Sequence, residues 1–494
     1  MEKREEHKEE KRLEFRGGSF FALLPLILFV GVCILLFVVF KVFEMEGLCM
    51  GGIVVLIVCS VFAKDWGRYW QAVVKGMTSE MMNTLALILL VVGIFGKMMS
   101  RGGVAQGFVW LGDSLGLHGG MFVVFAFIAT SIISMSTGTS IGTLFSGFPI
   151  LYPSGILLGA NPLLLAGAIL SGAIFGDNVA PISDTTIASA ASQIFKNKRG
   201  SADIGGVVAS RMKYAVTAMI ISCVLFFIFG SAGGVDEAGK AILESYKDPK
   251  GLIMLLPVVV LLAVAIIKRN IFVAATWGII SGIIIGMITG ILTPADVISV
   301  ENGALSGFAI DGIKNMLGTV GYLYAVAGII GILNDSGMMQ KMIDALMKSK
   351  INKSIIGSEF IIGIGTILTS ICLGSANGPA IIMFGPIADQ IGKEKDLHPY
   401  RRANLMDGFA STLSAIIPFT SSFIFIVISC ISGLMEEYSF INQINPLALA
   451  GVTFHCIILF FVFVFAVISG WGREYEGENG ERVKEKNYLD SKKA

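Results

Sequence analysis

Apolar runs separated by short polar joints fill this chain, and the spacing of the joints predicts its elements. Roughly 17–25 predominantly apolar residues are needed for a helix to cross a bilayer. Runs near 19–40, 47–63, 83–99, 214–231, 252–267, 271–292, 305–333 and 446–470 meet or approach that length. An apolar stretch over 162–195 is longer but interrupted, and the stretch that carries Asp407 and Pro418 and ends at Glu436 is its counterpart. Two apolar pairs double back around polar tips. One joins 121–135 to 141–151 through Ser136-Thr137-Gly138-Thr139-Ser140; the other joins 355–373 to 380–391 through Gly374-Ser375-Ala376-Asn377-Gly378-Pro379. Several of these arms are short for a span, which predicts re-entrant hairpins with tips near mid-membrane, where hydroxyls and amides need partners. The pattern therefore predicts an all-α polytopic membrane protein with ten crossings and two hairpins. Gly278, Gly282, Gly286 and Gly290, four apart, predict a flat face for close helix packing.

Composition agrees with that class. Of 494 residues 54% are hydrophobic and 15% charged, where a soluble domain is nearer a quarter charged; mean hydropathy is +0.78. A net charge of +1, with no basic cluster interleaved with aromatics, gives no footprint for nucleic acid. The seven cysteines are scattered through apolar runs and form neither a disulfide framework nor a metal-ligand spacing. No His-Glu-x-x-His or ATP-binding motif occurs. The expectation is a transporter driven by a gradient, not an enzyme, and without a cofactor.

Lys and Arg in short loops set orientation. The basic head 1–18 places the N-terminus in the cytoplasm, and the run at 19–40 is too long for a signal-peptide core, so it reads as a retained helix. Counting crossings brings 101–120 outside, the basic loop Lys196, Lys198, Arg199 inside, and the tail 471–494 inside. The reading divides the chain into N-terminal helices (19–70), a first repeat (76–199), connecting helices (211–292), a second repeat (305–437) and a last helix (446–470). A bacterial-type plasma membrane with both termini cytoplasmic is expected.

One run carries the candidate chemistry: Gly176-Asp177-Asn178-Val179-Ala180-Pro181-Ile182-Ser183-Asp184-Thr185-Thr186. A carboxylate at bilayer depth costs roughly 2.5–3.5 kcal/mol on the insertion scale and is seldom kept without a role. Gly176 and Pro181 are expected to interrupt the helix and free backbone carbonyls, an irregularity tolerated only beside a cavity. Two carboxylates with neutral oxygens from Asn178, Ser183, Thr185 and Thr186 suit a small hard cation.

The hairpins belong to an internal repeat. Gly93-Ile94-Phe95-Gly96 matches Gly328-Ile329-Ile330-Gly331, Thr130-Ser131-Ile132 matches Thr369-Ser370-Ile371, and Pro149-Ile150 matches Pro386-Ile387. Ser171-Gly172 matches Asp407-Gly408 and Pro181-Ile182-Ser183 matches Pro418-Phe419-Thr420, with offsets held between 235 and 239 residues. Loop charges swap sign between copies. The flanks of the first hairpin are poor in Lys and Arg and its exit is basic; the second has basic flanks (Lys393, Lys395, Arg401, Arg402) and the acidic exit Glu436-Glu437. Inverted repeats with broken helices at their interface are the architecture of secondary transporters.

The run from Asp177 to Thr186 resembles the Gly-Asp-x-x-(Ser/Ala)-Pro-(Leu/Ile)-Ser-Asp-Thr-Thr signature of the NhaC-type Na+/H+ antiporters, and the resemblance covers most of 80–435. It implies Na+- and H+-coupled antiport by alternating access; some members of that family resemble organic-acid exchangers or amino-acid carriers. The signature often has Lys where this chain has Asn178, which leaves the charge count of the site open.

The expected cation and proton site is Asp177, Asn178, Ser183, Asp184, Thr185 and Thr186, with Na+ on Asp177 and Asp184. From the second repeat it adds Asp407, Ser411 and Thr412, Asp407 being the candidate second titrating group. Tip residues Ser136, Thr137, Thr139, Ser375 and Asn377 are candidate substrate contacts. Lys97 and Arg101 are the alternative partners of Asp177 in a purely structural ion pair. Asp335 reads as a solvated or capping residue near Lys341, and His455 as structural. The partners are the bilayer, Na+ and H+, with a small organic anion or amino acid and a homodimer left open. The absence of any evident intramembrane Arg to clamp a carboxylate favours the bare cation over the organic solute.

Overall fold

Helices in the computed structural model start where short polar side chains can accept from exposed backbone N–H groups. Asn161 caps the helix α8 (Pro162–Val179), Asp203 caps α10 (Ile204–Phe229) and Asn270 caps α12 (Ile271–Ile288) through their side-chain oxygens. The structure describes residues 12–42, 44–232, 243–268, 270–301 and 303–484. The head before Arg12, the loop positions Asp236, Glu237 and Lys240, Arg269 and the tail beyond Lys484 lie outside the described residues.

The first apolar run is a continuous helix, α1 (Ser19–Phe40). It is followed by α2 (Met45–Ser60), an amphipathic α3 (Trp66–Met77), α4 (Glu80–Arg101) and α5 (Val104–Ser114). Helices α3 and α5 were not expected; both lie in segments read as joints. The first hairpin is α6 (Gly120–Thr137) and α7 (Ser140–Leu157); α8 and α9 (Asp184–Ala191) form the first broken helix. After α10 come α11 (Leu255–Lys268) and α12, then α13 (Phe308–Asp335) and α14 (Met338–Met347). The second hairpin is α15 (Ile355–Cys372) and α16 (Asn377–Glu394), and the second broken helix is α17 (Pro399–Ala410) with α18 (Ser422–Met435). The last apolar run is bent by 53° between α19 (Pro446–Val452) and α20 (Phe454–Ser469).

Ten described helices are long and apolar enough to cross a membrane, or eleven if the bent pair counts as one span. The membership differs from the expected one. Three hairpin arms, α6, α7 and α15, reach 18 residues and qualify, whereas α2 and α18 fall short. The arms are therefore not too short: α7 continues helically through Pro149 and Pro153 to Leu157, beyond the expected stop at 151. Element order repeats. The hairpins and broken helices start at Gly120 and Ile355, Ser140 and Asn377, Pro162 and Pro399, Asp184 and Ser422, offsets of 235, 237, 237 and 238 residues.

The long helices α4 and α13 pack together in the centre of the molecule, closely enough that Gly93 and Gly312 meet backbone to backbone. Only glycine allows that approach, which brings the two copies of the repeat into contact. The glycine row on α12 is partly as expected. Gly278, Gly282 and Gly286 are buried, facing Leu261, Met98 and Leu292, but Gly290 lies past the helix at φ 71°. Ends of α4 and α13 are tied by ions. Lys97 reaches Glu436 at 3.1 Å and Glu437 at 3.4 Å, and Arg68 reaches Asp335 at 2.8 Å. Lys97 and Arg101 thus answer acidic groups at the end of α18 and on α13, not Asp177, and Asp335 is a largely buried ion-pair member, not a solvated cap.

Candidate cation site

Gly176 does not break the helix. Helix α8 runs unbroken through Gly176, Asp177 and Asn178 to Val179, and the interruption is confined to Ala180-Pro181-Ile182-Ser183 before α9 begins at Asp184. The role of Gly176 is contact. A Cβ there would lie 2.3 Å from the Ser131 carbonyl oxygen and 2.6 Å from the Met135 nitrogen; at Gly172 it would lie 2.1 Å from Thr130 Oγ1 and 2.4 Å from the Phe127 oxygen. Glycine at both positions lets α6 lie against α8, backbone on backbone, and so sets the hairpin tip beside Asp177. Gly176→Ala should separate the two helices and destabilise the protein by about 1–3 kcal/mol, the range for overpacking a close contact. A lowered melting temperature in detergent with weakened exchange checks this; an unchanged melting temperature refutes it.

The tip meets Asp177 through the first residue of α7. Ser140 donates its Oγ to Asp177 Oδ2 at 2.5 Å and its backbone N–H to the same oxygen at 3.2 Å. The helix N-terminus supplies positive potential where the carboxylate sits. Asp177 Oδ1 is buried without a hydrogen-bond partner. Asp184 accepts from the Thr185 N–H at 2.8 Å, and its other oxygen lies against the second tip: a Cβ on Gly378, in the first turn of α16, would be 2.9 Å away. Each carboxylate thus faces a helix N-terminus, one from each hairpin. Asp184 is exposed, and the space it faces is a cavity of about 500 Å³ lined also by Thr84, Ile88, Thr139, Gly142 and Ile271. No Lys, Arg or His forms an ion pair with Asp177 or Asp184 among the described residues.

Asp407 is different. It is fully buried, and its Oδ2 lies 2.5 Å from Arg211 Nη1, itself at 0% exposure. The same Nη1 donates to Thr186 Oγ1 at 3.0 Å and to the Asn178 carbonyl, and Arg211 Nε donates to Asn404 Oδ1 at 3.0 Å. Thr186 donates to Asp407 Oδ2 at 3.2 Å, and Asn178 Nδ2 reaches Ser411 Oγ at 3.2 Å and Asp407 Oδ1 at 3.4 Å. One guanidinium therefore joins both halves of the first broken helix to the second. Removing either ion alone would strand the other, at about 3–5 kcal/mol.

Expected site residues divide accordingly. Asn178, Thr186, Asp407 and Ser411 form one connected cluster; Asp177 and Asp184 stand at the break, each against a hairpin. Ser183 and Thr185 exchange a hydroxyl hydrogen bond at 3.0 Å close to Asp184. Thr139 lines the cavity with Asp184. Others turn elsewhere: Ser136 and Thr137 donate back to Ile132 and Ile133 carbonyls, Thr412 to that of Phe409, and Asn377 accepts from Ser370. Ser375, held at φ 64°, donates to the Ser414 carbonyl and so ties the second tip to the second break. His455 is buried between Phe127 and Phe175, away from these groups.

The expectation of no intramembrane Arg is overturned by Arg211, and the basic flank residues Arg401 and Arg402 are also buried, on Glu359 and Asp389. Arg211 was read as a loop cation because the helix after 199 was expected to start at 214. The signal that would have found it is Asp203 followed by Gly206, whose N–H the Asp side chain caps. A helix started there places Arg211 two turns inside.

The model of the Na+/H+ antiporter family matches this chain over residues 18–194 and 191–471. The chain belongs to that family. Among curated members, a malate-2H+/Na+-lactate antiporter from Bacillus subtilis is 29% identical over 288 residues, 55% of this chain and 58% of its own. The Na+/H+ antiporter NhaC of Alkalihalophilus pseudofirmus is 26% identical over 60% of this chain and 66% of its own. An uncharacterized Na+/H+ antiporter of Haemophilus influenzae is 24% identical over 74% of this chain and 82% of its own. The first two alignments thus span under two thirds of those antiporters' length. Family membership makes the chain a transporter rather than an enzyme, with a membrane setting.

Proposed function

We propose that this protein exchanges Na+ for protons by alternating access, the two ions competing for Asp177 and Asp184. The observation that carries this reading is a pair of carboxylates at a helix break with no counter-cation among the described residues, each met by the N-terminus of a hairpin helix. Such a pair needs a positive guest, and a proton or a small monovalent cation can each supply it. Neutral oxygens of Ser183, Thr185 and the break's carbonyls are at hand as further ligands. The two copies of the repeat would insert in opposite senses, so that rocking one against the other exposes the break to each face in turn.

A carrier of small organic acids or amino acids is the second reading, favoured by the name of the lactate antiporter. A substrate carboxylate would need Arg211 or the helix N-termini at the tips. Those groups already face the protein's own Asp407, Asp177 and Asp184, which argues for the bare cation. Proteoliposomes distinguish the two: Na+-driven alkalinisation or acidification without solute is expected, and transport only when labelled lactate, malate or arginine is supplied would favour the carrier.

The orientation has its own test. With the seven cysteines replaced by Ala, single Cys at Asn197 and Glu394 should react with an impermeant maleimide from the cytoplasm, and at Leu115 and Asn442 from outside; all four are exposed. Reaction of 197 and 442 from the same face would refute the inverted arrangement.

A further inference from the structure

We propose that Arg211 is a fixed counter-cation of the exchange site: it neutralises Asp407, leaving two of the three carboxylates beside the helix breaks to carry ions, and thereby sets the number of charges exchanged per cycle. The inference rests on the exchange reading above. Accessibility is the first ground. Asp184 opens on a cavity and Asp177 keeps an unpartnered oxygen, whereas Asp407 and Arg211 are sealed at 0% exposure and 2.5 Å apart. A guanidinium stays protonated at any working pH, so its charge is present in every step of a cycle.

Anchorage is the second ground. Arg211 is held by the Asn178 carbonyl, Thr186 Oγ1 and Asn404 Oδ1, from three separate helices, so it cannot leave Asp407 without breaking bonds to α8, α9 and α17 together. Its own helix, α10, belongs to neither copy of the repeat and packs against α8, α9 and α17. Arg211 is thus a positioning residue whose charge enters the balance. Three carboxylates and one guanidinium leave a formal deficit of two, which two monovalent cations fill. Without Arg211 the deficit would be three.

The test is the reversal potential of Na+-coupled proton flux in proteoliposomes. Arg211→Gln combined with Asp407→Asn removes one charge of each sign, and should slow exchange while leaving the reversal potential at the wild-type value; Arg211→Lys should do the same. Arg211→Gln alone should cut flux by at least about tenfold, since it strands a buried carboxylate. A double variant with a shifted reversal potential would overturn the proposal, because Asp407 would then be carrying a transported ion. A second measurement needs no variant: the wild-type protein treated with a hydrophobic carbodiimide should be modified at Asp177 and Asp184, with Na+ protecting both, and not at Asp407. Na+-protected modification of Asp407 would equally overturn it. Absence of any Na+-coupled proton flux in the wild type would instead remove the exchange reading and leave the Arg211 pair a structural one.

Discussion

Asp177→Asn and Asp184→Asn should each abolish Na+-dependent proton movement while the protein still inserts and folds. The side chains differ by one charge and little volume, and neither carboxylate has an ion-pair partner among the described residues that its loss would strand. An amide at 177 can still accept from Ser140, so the contact between tip and α8 survives. What disappears is the negative charge that holds a cation at bilayer depth. A unit charge about 4 Å from a monovalent cation contributes about 4 kcal/mol at an effective dielectric of about 20, which corresponds to roughly a thousandfold in cation affinity. Flux measured with a pH-sensitive dye in proteoliposomes, beside melting curves of the same preparations, checks both halves of the expectation. Exchange at the wild-type rate in both variants would sink the assignment.

Competition between Na+ and protons has an equally large signature. If the two share one set of carboxylates, Na+ binds only after a proton leaves, so apparent Na+ affinity should rise with pH by up to about tenfold per unit for each proton displaced, then level off. Linkage requires the converse: adding saturating Na+ to the purified protein in weak buffer should release protons. Calorimetric titration with Na+ across roughly pH 6–9 reads both. A flat affinity over that range would remove the competition and favour the solute carrier.

Much of the architecture was legible in the order of residues because a bilayer punishes exceptions. Backbone groups in hydrocarbon must be satisfied within the segment, so apolar runs of span length became helices, and the polar tips at 136–140 and 374–379 became the turns of hairpins. The near-constant offset between the repeats survives in the starts of their helices. Asp177 and Asp184 stood out for the same reason, as carboxylates in a stretch where water cannot help them. Local signals were less reliable at boundaries. Gly176, which as a breaker should have ended α8, is buried in it as a contact surface, since glycine both loosens a helix and admits a neighbour.

Partnership was decided by tertiary structure alone. That Ser140 answers Asp177, that Gly378 lies on Asp184, and that Arg211 neutralises Asp407 all join residues tens to hundreds of positions apart. Periodicity and composition carry no information about such pairs: a charged residue near a helix end looks the same whether it reaches water or an ion buried in the next helix. Arg211, Arg401 and Arg402 were all read as loop cations on that ground, and all three turn inward to carboxylates. The sequence by itself therefore determined where the long apolar helices and the hairpin turns form and which acids fall within interrupted apolar runs, because those follow from the cost of polar groups in hydrocarbon. Which acid is left without a counter-charge, and so is open to a transported ion, depends on three-dimensional packing, because a counter-ion acts through distance in space and not along the chain.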